Sequence, residues 1–83
     1  MIDILFFARI REQLGTATIS VPASPGLTVA ALRDQLIEQH GSQWEEVLCA
    51  DNVIKAVNQE QADDDQPLVD GDEVAFFPPV TGG

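Results

Sequence analysis

The sequence predicts an α+β domain in which a mixed β-sheet packs against one main helix. Three observations lead there. Runs rich in β-branched and aromatic residues stand at both ends and in the middle of the chain. A single long segment between Thr28 and His40 carries its apolar residues at helical spacing. A length of 83 residues with 45% apolar content supplies one core and leaves no room for a second domain. The expected organisation is a folded domain over residues 1–77 and an extended tail over residues 78–83.

Residues 2–8 form the first expected strand, with Ile2, Ile4 and Phe6 on one face and Leu5 and Phe7 on the other. Residues 9–15 read as a turn. Residues 16–21 are a second, β-branched strand that Pro22 ends, so the chain opens on a hairpin. Thr28 is an N-cap for the main helix, whose buried side is Val29, Leu32 and Leu36, and Gly41 is a left-handed C-cap. Ser42-Gln43-Trp44-Glu45 has the form of a capping box and opens a short second helix with Trp44, Val47 and Leu48. Residues 53–58 are a third strand, residues 59–66 a polar loop, and residues 67–69 a short edge piece. Asp70-Gly71 is a turn signal, and residues 73–77 are the last strand. No internal repeat interrupts this order.

Fourteen acids against four bases give a formal charge of -10, which disfavours nucleic acid and anionic membrane, since both need a lysine and arginine footprint. The N-terminal run has no basic flank and carries Asp3 inside it, so it reads as neither signal peptide nor membrane span. A single cysteine, Cys49, cannot close an internal disulfide and fits a reducing, cytoplasmic setting.

Most residues that might carry chemistry have an ordinary explanation. His40 sits at a helix C-terminus, where it complements the dipole. Cys49 lies in an apolar stretch and reads as a small hydrophobe. Asp63-Asp64-Asp65 lacks the alternation and the closing glutamate of a calcium loop and reads as solvated. No phosphate loop, dinucleotide fingerprint or zinc spacing is present, so no metal site and no autonomous enzyme are expected.

Two neighbouring features remain. If Ile4, Phe6, Val74 and Phe76 face the helix, alternation turns Phe7 and Phe77 to the opposite face; the other register buries that pair and exposes Phe6 and Phe76. Either way, two phenylalanines form an apolar patch for a partner. The second feature is the ending, Pro78-Pro79-Val80-Thr81-Gly82-Gly83. The prolines remove two backbone donors and favour an extended chain, and the final glycines, lacking Cβ, fit a channel too narrow for side chains. Six extended residues span roughly 20 Å, against an expected radius of gyration of about 12 Å.

Over its whole length the chain resembles the small, sulfur-carrying subunits of molybdopterin synthase, a ubiquitin-like family. The resemblance runs through Ile4-Leu5-Phe6-Phe7-Ala8-Arg9 with Arg11-Glu12, Thr28-Val29 with Ala31-Leu32-Arg33, Ala56-Val57-Asn58-Gln59, and most of all the stretch from Asp70 to Gly83. It implies a β-grasp fold. It also implies that Gly83 is the working residue: an ATP-dependent activating enzyme of the ubiquitin-activating type adenylates its carboxylate, with ATP and magnesium held by that enzyme. A persulfide donor then converts the acyl-adenylate to a thiocarboxylate. The large subunit takes in the tail, and the sulfur passes to cyclic pyranopterin monophosphate to build the dithiolene of molybdopterin. On this view Phe7, Phe77 and Pro78 dock the body while Val80, Thr81 and Gly82 line the threaded tail, and the chain itself binds no cofactor. Carriage of sulfur to thiamine or another thiolated product, attachment to other proteins as a ubiquitin-like modifier, and a passive interaction module are the alternatives that share this ending.

Overall fold

The computed structural model describes residues 1–79, which form one five-stranded mixed sheet and three helices. The order is β1 (Ile2–Phe6), α1 (Ala8–Leu14), β2 (Thr18–Val21), α2 (Val29–His40), α3 (Ser42–Leu48), β3 (Ile54–Val57), β4 (Glu60–Gln61) and β5 (Glu73–Phe77). In space the strands run β2-β1-β5-β3-β4. The first and last strands lie side by side and parallel at the centre, and the other pairings are antiparallel. A parallel pair cannot be joined by a tight turn, so the helices fill the long crossover between them. This is the β-grasp arrangement.

The helices cover one face. Ile2, Ile4 and Phe6 from β1 and Val74 and Phe76 from β5 meet Leu32 and Leu36 of α2 and Trp44 and Leu48 of α3 in a single buried cluster. Phe6 lies at its centre, stacked on Phe76 at 5.9 Å and edge-on to Trp44 at 5.4 Å. Such offset and T-shaped pairs are the geometries that ring quadrupoles favour. Thr28 caps α2 as expected, its Oγ1 accepting from the Ala31 N–H at 3.2 Å.

Several local expectations are corrected. Residues 9–15 are not a turn: Ala8–Leu14 is helix, with Ile10 and Leu14, four residues apart, buried on one side. Gly15, at φ 65° and ψ 23°, is the left-handed residue that ends it, donating to the Arg11 carbonyl. Residues 59–66 are not wholly loop, because Asn58 and Gln59, with φ of 51° and 71°, turn the chain back as β4. Two left-handed residues in a two-residue loop make a type I′ hairpin turn, here without the usual glycine. Ser42 is inside α3 and makes no capping bond; Gly41 stands at the junction of α2 and α3, and its ψ of -169° lies outside the left-handed well. The edge piece at residues 67–69 shrinks to a bridge between Thr28 and Pro67, with Leu68 donating to the Leu27 carbonyl.

Candidate functional site

The sheet face away from the helices is open, and its composition follows from register. Phe6 and Phe76 are buried, so the next residues in each strand direction turn outward. Phe7 is 44% exposed, and its ring meets Phe77 edge-on with centroids 6.2 Å apart. The first of the two registers weighed above is therefore the one adopted. Ile54 is paired with Phe77 across β3 and β5, and Leu5 with Ala75 across β1 and β5, so both extend the same apolar face. Leu5 was readable from alternation in β1. Ile54 was not, because only the β3–β5 register brings it beside Phe77.

The backbone around this pair is closely specified. The Phe7 N–H donates to the Phe76 carbonyl at 3.1 Å, carrying the parallel pairing one residue past β1. Ala8 then takes a φ of 52°, uncommon for a residue with a Cβ, and this bend leads from the strand into α1 while leaving Phe7 outward. Beyond Phe77, Pro78 has no N–H to continue the ladder, so β5 ends there. Pro78 and Pro79 form one wall of a groove of about 280 Å³ between α1 and α3. Val80, Thr81, Gly82 and Gly83, the remaining expected site residues, lie outside the described residues.

Asn58 fixes the start of β5 from the far side of the hairpin. Its Nδ2 donates to Asp72 Oδ1 at 2.9 Å, and its Oδ1 accepts from the Glu73 N–H at 3.1 Å. The Val69 N–H donates to Asp72 Oδ2, and this bond, followed by the Asn58 amide, holds the Asp72 carboxyl below the usual aspartate value.

The other candidates are accounted for structurally. Asp64, read as a solvated loop residue, accepts a two-point bond from Arg33 at 3.0 and 3.3 Å and a further bond from Lys55. The Arg33 guanidinium, then the Lys55 ammonium, push its pKa down from 3.8 to about 2. In return, the Asp64 carboxylate raises the Arg33 pKa. His40 lies flat on Trp44, rings 3.8 Å apart, and so covers the core as well as standing at a helix end. Cys49 is exposed at the end of α3, not part of the core as its apolar neighbours implied. Among the described residues no three His, Cys, Asp or Glu side chains converge as metal ligands, and no helix is long and apolar enough to cross a membrane.

Comparison with known proteins agrees with this geometry. The family model described as ThiS family matches residues 4–83. The molybdopterin synthase sulfur carrier subunit of Escherichia coli strain K12 is 49% identical over 83 residues, covering 100% of both chains. Among solved structures, SAMP1 of Haloferax volcanii, a small archaeal modifier protein, superposes with a TM-score of 0.79 at 28% identity, over 99% of this chain and 98% of that one. A chain from the complex of subunits 1 and 2 of the molybdopterin-converting factor of Helicobacter pylori gives 0.70 at 28% identity, over 99% and 97%. With its β-grasp sheet, its outward phenylalanine pair and its full-length relatives, the chain belongs to the ThiS family.

Proposed function

We propose that the chain is the sulfur-carrier subunit of a molybdopterin synthase, a component of a sulfurtransferase complex with no activity of its own. The observation that carries this is the Phe7–Phe77 pair on the open sheet face, immediately before Pro78 and the chain ending on Gly82-Gly83. A partner that binds the pair receives the tail in the same act. The full-length match to a relative bearing that name supports the same reading.

The chemistry of the terminus explains why partners are required. A carboxylate at the end of a chain has a pKa of about 3.5, is ionised at neutral pH and is a poor electrophile. An activating enzyme holding ATP and magnesium adenylates the Gly83 carboxylate with loss of pyrophosphate. The outer sulfur of a persulfide donor then displaces AMP, and a thiol cleaves the resulting acyl disulfide, leaving the thiocarboxylate on Gly83 and a disulfide on the donor. The large subunit binds Phe7, Phe77 and Pro78, accepts Val80, Thr81 and Gly82 in a narrow passage, and brings the thiocarboxylate to cyclic pyranopterin monophosphate. This chain supplies the terminus and the dock; the partners supply the nucleotide, metal and acid-base groups.

The test is to add one residue after Gly83. Made with its partners, the parent chain is expected to carry sulfur in place of one oxygen at Gly83, localised by mass spectrometry of the C-terminal peptide, and to support molybdopterin formation. The extended chain should do neither. Equal product from the extended chain would overturn the proposal. A modifier role is the second reading, favoured by the likeness to the archaeal modifier protein. Intact masses of other cellular proteins bearing a remnant of this tail on lysine would establish it. Lys55, the sole lysine, is bonded to Asp64 and so is a poor acceptor for chains built on the protein itself.

A further inference from the structure

The open face of the sheet carries charge of one sign only. Alternation gives it Asp3, Leu5 and Phe7 from β1 and Glu73, Ala75 and Phe77 from β5, while β2, β3 and β4 add uncharged side chains to it. Asp3 and Glu73 are direct partners in the parallel pairing, and like charges so placed repel. Asp3 accepts from the Ser20 hydroxyl at 2.8 Å, a neutral donor, and among the described residues neither acid is in an ion pair. No base of the chain is placed to relieve them. Lys55 pairs with Phe76 in register and so turns to the helix side, where it and Arg33 are bonded to Asp64. Arg9 and Arg11 stand on α1, beyond the Phe7 end. Around the Asp3 end the Met1 amino group is bonded to Asp70, and the Asp72 oxygens take the Val69 N–H and the Asn58 amide.

This acidic end is continuous with the phenylalanine dock. A stable interface buries about 800 Å² on each partner, and a fully buried phenylalanine supplies only about 150–250 Å² of it. Phe7 and Phe77 are each partly covered already, so a partner that grips them needs more surface than the pair offers. The flat continuation is the same two strands, running back through Leu5 and Ala75 to Asp3 and Glu73. We propose that the acidic end of this face is a second contact of the large subunit, which seats a lysine or arginine against Asp3 and Glu73, roughly 13 Å or four strand residues from its pocket for the phenylalanines. The inference rests on the sulfur-carrier reading and names a contact beyond the Phe7–Phe77 pair. Charge commits the occupant, because an acid there would face two carboxylates and a neutral group would leave their repulsion in place. The two acids thus cost the free chain a little stability and strengthen the complex.

The test measures the affinity of the full chain for the purified large subunit at low and high salt, with thermal unfolding of each variant alongside. Asp3→Asn with Glu73→Gln is expected to weaken binding at least threefold at low salt, the gap narrowing as salt rises. Its thermal midpoint should stay at or above the parent's, since a repulsion has been removed, and a purely structural role would move both readouts downward together. Glu73→Lys alone keeps the Ser20–Asp3 bond and sets a cation beside Asp3, so it folds, yet it should also weaken binding at least threefold by repelling the partner's base. Asp34→Asn with Glu38→Gln makes the same change in net charge at exposed positions on α2, away from the sheet, and should bind within twofold of the parent.

A loss smaller than threefold in the Asp3/Glu73 double variant or in Glu73→Lys overturns the inference, and so does tighter binding by either. A loss in the Asp34/Glu38 variant equal to that in the Asp3/Glu73 variant overturns it too, by making total charge the cause. A defect confined to adenylation by the activating enzyme, with affinity for the large subunit unchanged, overturns it in favour of that enzyme. If the parent chain does not bind the large subunit at all, the sulfur-carrier reading fails and this inference with it, an outcome distinct from the loss of affinity in the variants alone.

Discussion

Asp64 illustrates how much one side chain can do in a small acidic domain. It joins Arg33 on α2 to Lys55 on β3, so one carboxylate ties helix to sheet at the rim of the core. Its side chain is 44% exposed, and solvent screening limits the contribution to about 1 kcal/mol. The sign of its pH dependence follows from the depressed pKa. The folded value of about 2 lies below the ordinary 3.8, so the stabilisation is complete above the ordinary value and is lost as pH falls through about 2. Asp64→Asn is therefore expected to lower the thermal midpoint at pH 7 by about 4–8 °C, with the difference from the parent fading between about pH 4 and pH 2. Melts at both ends of that window check it; a gap independent of pH would assign the effect to packing. The sequence displayed Asp64 in an acidic triplet and nothing about its partners, because Arg33 and Lys55 stand 31 and 9 residues away.

Among the elements, α1 departs most from its sequence signal. Seven residues with two buried apolar positions are too short to stand alone as a helix, since nucleation is costly. It forms because Ile10 and Leu14 find the core and Gly15 closes its end. A Cβ added at Gly15 would meet nothing within 4 Å, so the cost of Gly15→Ala is conformational, arising from φ of 65°. A loss of about 1 kcal/mol in urea unfolding is expected, with Gly15→Asn losing less because asparagine tolerates the left-handed well. Equal stability of Gly15→Ala and parent would mean that the helix end relaxes. Strand β4 was hidden for a related reason: two exposed polar residues have no alternation to read, and only the type I′ turn at Asn58 and Gln59 brings them back to β3.

For the whole molecule, the consequence of the sheet is that two neighbouring phenylalanines have opposite roles. Phe6 is 2% exposed and packs on Phe76 and Trp44, whereas Phe7 is 44% exposed on the other face. Phe6→Ala should cost about 3–5 kcal/mol of stability, a large share of the roughly 4–12 kcal/mol expected for a domain of this size. Phe7→Ala should leave stability within about 1 kcal/mol of the parent and weaken binding to the large subunit by about 2 kcal/mol, near 30-fold. Urea unfolding and titration calorimetry on the two variants separate the roles. Unchanged affinity in Phe7→Ala would remove the pair from the dock.

The sequence by itself determined the β-rich ends, the capped main helix and the ending on two glycines, because alternation, capping and loss of Cβ are local properties of the chain. It also narrowed the inward aromatic set, since Ile2 and Ile4 share a period with Phe6. The tertiary structure decided what depends on pairing over distance. The parallel β1–β5 contact sets Phe7 against Phe77, β3 brings Ile54 to them, and α1 and α3 enclose a groove lined by Arg9 and Glu46 beside the prolines. Those contacts join residues up to 70 positions apart, and no local pattern specifies which of several compatible partners a strand or helix will meet.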